Sequence, residues 1–182
     1  MEKINKIGYA QVEPHRLAAQ ATKSIFGQLP LDAAVLVAEN GMGLVYDQVA
    51  GGVRLPKAKG DYVQLHMSEI NLVDERLQED KDFAIMNYAE TQLQTAMAAH
   101  PRMFPLTVGD KFTTNAIKVT NLDVDHKAGD RFAIDVDGYW APMAEGDEAS
   151  LVLRVVKPLT LADGQKALQF VVDSVDVSGG TN

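Results

Sequence analysis

Arg131-Phe132-Ala133-Ile134-Asp135-Val136-Asp137-Gly138-Tyr139 is the stretch on which the fold turns. Phe132, Ile134 and Val136 fall on one side of an extended chain, with Asp135 and Asp137 on the other. That period of two belongs to a strand with one buried face. Turn signals surround it. Gly109-Asp110, Gly129-Asp130 and Gly146-Asp147 recur at short spacing, and Asp163-Gly164 adds a fourth. Between them lie further apolar runs at Lys111–Thr120, Ser150–Lys157 and Leu168–Val177. Short strands with turns at this spacing describe a small antiparallel barrel or sandwich. Its core is expected to hold Phe132, Ile134, Val136, Leu151, Leu153 and Phe170.

Towards the N-terminus the β pattern continues. Ala33–Glu39 and Met42–Tyr46 flank Asn40-Gly41, a strong hairpin signal because both residues tolerate positive φ. Gly52–Leu55 and Tyr62–Met67 read as a second strand pair. In the latter, Val63, Leu65 and Met67 share one face and Tyr62, Gln64 and His66 the other. One helix is expected near residues 88–99. Asn87 is its N-cap, Glu90 completes a capping box, and Ala89, Leu93, Ala96 and Met97 form its stripe. His100-Pro101 ends it. The polar run Asp74–Asp82, with Leu77 as its one apolar residue, reads as an exposed loop or frayed turn. The first thirty residues fit two patterns: Leu17, Ala18, Ala21 and Ile25 recur as in a helix, whereas Ile25, Gly27 and Leu29 alternate as in a strand. The expected fold class is α+β with β dominant, an antiparallel β-barrel or sandwich with one helix and an extended N-terminal arm. The divisions are an arm over 1–30, a β-rich region with the helix over 31–105, and an antiparallel β unit over 106–182.

The chain has 182 residues, enough to bury about two-thirds of its unfolded surface. A net charge of −8 argues against a basic nucleic-acid-binding face. Absence of cysteine removes disulfides, thiolate catalysis and Cys-ligated zinc. The longest apolar run, Ala33–Ala38, is far short of the ~20 residues a bilayer-spanning helix needs. Met1–Lys6 lacks the apolar core of a signal peptide, so a cytoplasmic origin is the default.

Catalytic motifs are missing. There is no phosphate-binding Gly-x-x-x-x-Gly-Lys-Ser/Thr, Gly41-Met42-Gly43 lacks the third glycine of a dinucleotide fingerprint, and no Gly-x-Ser-x-Gly elbow occurs. His15, His66, His100 and His126 stand apart in sequence, with no His-Glu-x-x-His. Asp123–Asp130 is acidic enough to suggest a hard cation, but Lys127 and Ala128 stand where an EF-hand loop needs a ligand and a glycine. A solvated turn explains it, as it does the second acidic loop with Glu145, Asp147 and Glu148. Asp135 and Asp137 would lie about 7 Å apart on one strand face, a spacing open to acid–base work but also that of ordinary solvent-facing acids. Neither a catalytic residue, a metal ligand nor a cofactor is assigned. Tyr139-Trp140-Ala141-Pro142-Met143 holds the one tryptophan. Trp140 either closes the core at a strand end or, with Tyr139 and Met143, forms an interface.

Three patches carry a resemblance. Lys3-Ile4-Asn5-Lys6-Ile7-Gly8-Tyr9 is the first. Glu69-Ile70-Asn71-Leu72-Val73-Asp74-Glu75-Arg76 with Lys81-Asp82-Phe83-Ala84 is the second. Pro101-Arg102-Met103-Phe104 with Val108-Gly109-Asp110-Lys111-Phe112-Thr113-Thr114-Asn115 is the third. Together they resemble structural proteins of tailed double-stranded DNA phages. The resemblance implies a non-enzymatic virion component, a capsid auxiliary of the decoration or cement type bound to the major capsid protein. It implies a homo-oligomer, with a trimer favoured, and neither nucleic acid nor membrane as partner. A neck or tail position is an alternative, and no catalytic residue is carried over. The arm's apolar residues Ile4, Ile7, Tyr9 and Val12 are then expected at the interface, too sparse to form a core alone. Two other classes remain open from the residues: a ligand- or glycan-binding β-barrel module with Tyr139 and Trp140 as platform, and a metal-dependent hydrolase using carboxylates between Asp123 and Asp137.

Overall fold

The computed structural model describes residues 10–68, 84–86, 100–118, 126–162 and 164–177. The chain forms β1 (Val12–Arg16), α1 (Ala18–Thr22), β2 (Val37–Glu39), β3 (Gly43–Asp47), β4 (Gly52–Arg54), β5 (Gln64–His66) and β6 (Ala84–Met86). It continues through β7 (Met103–Phe104), β8 (Lys111–Thr114), β9 (Arg131–Ile134), β10 (Trp140–Pro142), β11 (Leu151–Thr160) and β12 (Lys166–Val175). β dominates, and every strand ladder is antiparallel.

A six-stranded sheet runs β1-β8-β12-β11-β9-β10, a four-stranded sheet runs β4-β3-β5-β7, and β2 pairs with β6. The long β11–β12 hairpin is the spine of the larger sheet. Beyond the end of β8, Ile117 meets Trp140 of β10 in one isolated parallel bridge. Trp140 N–H donates to Ala116 O, and Lys118 N–H donates to Trp140 O. A single bridge is not a ladder, so the sheet curls without closing and the architecture is sandwich-like.

One apolar cluster spans both larger sheets. Phe132, Phe170, Phe112 and Trp140 form its aromatic chain, with successive ring centroids 5.2, 6.0 and 6.2 Å apart. These are tilted or edge contacts, the arrangement ring quadrupoles prefer. Leu44 and Leu65 enter from the smaller sheet. Gly43 lies so close to the aromatic end that a Cβ there would sit 2.6 Å from Ile134 Cδ1. The sheets approach at a residue with no side chain.

The Gly-Asp pairs share one device. In each turn the Asp N–H donates to a carbonyl three residues back: Asp110 to Thr107, Asp130 to Lys127, Asp147 to Ala144. The Asp carboxylate accepts the N–H of that same earlier residue, at 2.8, 2.9 and 3.3 Å. The glycine between has φ between +87 and +99° in all three turns, as a type II turn demands. Asp110 is buried, and its other oxygen accepts the Ala18 N–H, tying the start of α1 to the β8 turn.

Several expectations are corrected. Arg131–Tyr139 is not one strand: β9 ends at Ile134, and Gly138 N–H donates to Asp135 O to close a turn. Val136 sits on that turn, about half exposed, and leaves the core list. Asn40-Gly41 does turn the chain, but β2 and β3 do not pair; β2 takes β6 and β3 takes β4 and β5. The reason is that Gly41 N–H and Met42 O are both bonded to His66. β4 and β5 likewise flank β3 rather than each other. The described helix is α1, at one of the two alternatives for the first thirty residues; it stops at Lys23, which is left-handed at φ 57°. The extended segment Val12–Arg16 lies along β8 of its own chain, and Val12, Leu17 and Ala19 pack on or in the core. The helix expected at 88–99, its cap Asn87, the loop Asp74–Asp82, and Ile4, Ile7 and Tyr9 lie outside the described residues.

Phe170→Ala should cost about 3–5 kcal/mol, because Phe170 touches both neighbouring rings of the aromatic chain. Val136→Ala on its exposed turn should change stability by less than about 0.5 kcal/mol. Urea unfolding of both variants checks the pair, and equal losses would contradict this core.

Candidate functional site

The residues with most chemical potential gather on the face of β5 that reads as polar. Gln64, His66 and Ser68 alternate there, and all three are buried. His66 has no exposure at all. Its Nδ1 lies 2.9 Å from Glu39 O and its Nε2 2.9 Å from Ser68 Oγ. The carbonyl can only accept, so these partners assign the proton to Nδ1 and leave Nε2 to accept from the hydroxyl. Ser68 Oγ also accepts the Arg102 N–H at 2.8 Å. Asn40 completes the set: Ser68 N–H donates to its Oδ1 at 2.7 Å, and its Nδ2 donates to Ser68 O at 3.0 Å.

Hydroxyl, imidazole and carbonyl in line resemble a nucleophile, its base and an orienting group. The electrostatics oppose that use. Burial outweighs the hydrogen bond to Glu39 O and pushes the His66 pKa down to about 4. A base so weak is poorly matched to abstracting a hydroxyl proton near neutrality. Ser68 reaches the wall of a cavity of about 380 Å³, lined also by Gln20, Ile25, Met67, Arg102 and Phe104. His66 stays behind that wall. The arrangement is a brace that joins β5, the 39–41 turn and the chain entering β7.

A second network sits at the β9–β10 end. Tyr139 OH donates to Glu39 Oε2, and Glu39 is itself buried. Burial first, then the charge and hydrogen bond of Glu39, push the Tyr139 phenol above its ordinary range. Glu39 Oε1 accepts the Ala10 N–H. Trp140 is fully buried, and its Nε1–H donates to Gly41 O at 2.8 Å. Of the two placements open for Trp140, the fold takes the core, and Tyr139 is buried beside it. Met143 is half-buried.

Asp135 and Asp137 are brought together on the turn and not on a strand face. Lys118 Nζ bonds Asp135 and lies 3.3 Å from Asp137. Burial is the largest single influence on Lys118 and pulls it down, but hydrogen bonds to the two aspartates together hold it above its usual value. For Asp135 burial again acts first, upwards; the Lys118 bond, the Val136 N–H and nearby lysines bring it below the usual carboxylate range. A lysine clamped between two carboxylates is a structural ion pair. Arg54 plays the same part between Asp47 and Asp61, at 3.1 and 2.8 Å.

Other expected positions are dispersed. His126 packs its ring on Phe132 and lies 3.7 Å from Asp130, and His15 Nε2 meets Thr113 Oγ1 at 2.7 Å. Asp123 and Asp125 lie outside the described residues. Among the described residues no group of three or more His, Asp or Glu could hold a metal ion, and no helix is long and apolar enough to cross a membrane. Among the described residues, the buried side-chain atom without a hydrogen-bond partner is Gln64 Oε1. The Glu39–Tyr139 and His66–Ser68 braces were not foreseen from sequence. Glu39 and Tyr139 are a hundred positions apart, and only the turn residue Asn40 hinted at the place. No protein-family model, no curated protein and no solved structure matches the chain.

The His66 brace predicts a pH dependence. The folded pKa, about 4, lies below the ordinary 6.5, so the unfolded chain binds the proton more readily between the two. Stability from this group is complete above the unfolded pKa and falls as pH drops towards the folded one, by about 3 kcal/mol in all. Urea midpoints across that range should decline in the wild type and decline less in His66→Asn. Identical slopes would remove His66 as the cause.

Proposed function

We propose that this protein is a non-enzymatic structural component of a virion, a capsid auxiliary of the decoration or cement type that binds the major capsid protein. The observation that carries the reading is the use made of the polar side chains. Glu39, His66, Ser68, Tyr139, Lys118, Asp135 and Asp137, the groups best suited to chemistry, each hold two or more segments of the fold together. Such a molecule has its chemistry invested in rigidity, which suits a part that must bear load on a particle. The resemblance to tailed-phage structural proteins supports the same reading, and two of its segments include β7 and β8, which stand in different sheets.

Among the described residues β1 is an outer strand of its sheet, and its edge narrows where a partner can dock. Glu13, Pro14, His15 and Arg16 are exposed, Pro14 has no N–H to offer, and a bulge interrupts the register between Pro14 and Arg16. Proline, charge and a bulge are the devices that keep an edge from accepting another strand. Ile4, Ile7 and Tyr9 therefore remain the candidate contacts. In this reading the protein acts in the virion as a homo-oligomer, a trimer being favoured. Lattice binding would let weak arm contacts add up.

The test is association with capsid shells. The intact chain should cosediment with shells built from the major capsid protein of a tailed phage whose genome encodes this chain. Deleting residues 1–9 should abolish cosedimentation while lowering the melting temperature by less than about 4 °C, since the apolar residues Ile4, Ile7 and Tyr9 are too sparse along the arm to form a core. An intact chain that stays in the supernatant would overturn the proposal. A truncated chain that still decorates shells at full occupancy would move the anchor elsewhere on the surface.

A further inference from the structure

We propose that Asn40-Gly41 is a latent deamidation site that the fold holds off, so that its modification marks an opening of the 39–43 turn and then prevents it from closing. The inference is independent of the virion reading. Asn40 is the one asparagine in the chain followed by glycine. With no side chain on the following residue, the backbone nitrogen can approach the asparagine carboxamide most easily.

In the reaction, Gly41 N loses its proton and attacks Asn40 Cγ. The Cγ–Nδ2 bond breaks, and ammonia leaves with the proton. The cyclic imide that forms is opened by water at either carbonyl, giving aspartate or isoaspartate. No group besides water is required.

The fold blocks both reacting partners. Gly41 N–H is held by His66 O at 2.8 Å. The Asn40 carboxamide is gripped at both ends by the Ser68 backbone, at 2.7 and 3.0 Å. Rotating Cγ onto Gly41 N requires all three bonds to break at once. Nor can the liability be removed by replacing the glycine. Gly41 has φ +92°, and a Cβ there would lie 2.1 Å from Thr114 Oγ1 and 3.0 Å from Gln11 O. The turn needs glycine, and the grip on Ser68 needs a side chain with one acceptor and one donor.

The product cannot restore the grip. Aspartate keeps an acceptor for Ser68 N–H but places a second oxygen against Ser68 O, where Nδ2–H donated. Isoaspartate also inserts a methylene into the backbone, which shifts Gly41 out of the slot against Thr114. One opening that lasts long enough is therefore made permanent.

The experiment is peptide mass spectrometry of the full chain aged in mildly alkaline buffer, folded and in urea. The Asn40 peptide should gain the mass of amide-to-acid conversion in urea, and do so on the order of 100-fold more slowly when folded. Hydrogen-exchange protection of the Gly41 amide should account for that ratio. Chains aged in urea and then refolded should split, with Asn40 chains recovering the native melting transition and converted chains not. Equal rates in the two states, no conversion in urea, or full recovery by converted chains would each overturn the proposal.

Discussion

Gly41 joins the two larger sheets through both of its backbone groups. Its N–H goes to His66 O at the end of β5, and its C=O takes the indole N–H of Trp140 from β10. Its missing side chain leaves room for Thr114 at the end of β8. Much of the fold follows from that seat. With Gly41 and Met42 bonded to His66, the strands on either side of the turn cannot pair with each other. β2 leaves for β6, and β3 joins β4 and β5. The Trp140 ring, fixed by the same bond, sits over Gly43 and caps the aromatic chain that runs through Phe112 and Phe170 to Phe132.

Around this seat the polar interior works as scaffolding. Buried polar groups are costly unless partnered, and removing one partner costs more than the pair contributes. His66, Ser68 and Asn40 bind three segments far apart in sequence, and Glu39 adds Tyr139 and the start of the described chain at Ala10. Such networks specify one arrangement of strands more sharply than apolar packing, which tolerates many shapes of similar volume. The burial that lets His66 tie these segments together is also what lowers its basicity.

The larger sheet treats its outer strand differently from its interior. β11 buries Leu151–Leu153 and Val155 and β12 buries Ala167, Leu168, Phe170 and Val172, whereas β1 exposes nearly everything after Val12. Its attachment depends on β8 and on the buried Leu17 and Ala19 that follow. A proline, a bulge and three exposed polar side chains blunt the edge, so the N-terminal stretch contributes area to its own sheet without offering a template to a neighbour.

The sequence by itself determined the class of fold and the parts of it governed by local rules. Alternation placed Phe132, Ile134, Leu151, Leu153 and Phe170 inside, since side chains two apart on a strand share a face. Gly-Asp marked turns, because positive φ and a short carboxylate that caps its own turn are properties of those residues alone. Tertiary structure decided the rest, for reasons that involve distance along the chain. Asn40-Gly41 looked like a hairpin until His66 claimed its backbone. Asp135 and Asp137 looked like a strand face until Gly138 folded them into a turn beneath Lys118. His66 read as part of a strand's polar face, and its burial depends on Glu39, 27 positions away, which supplies a backbone acceptor for its ring. From the sequence Trp140 could close the core or form part of an interface. Only the position of Gly41, 99 residues earlier, placed an acceptor where its indole N–H could be buried.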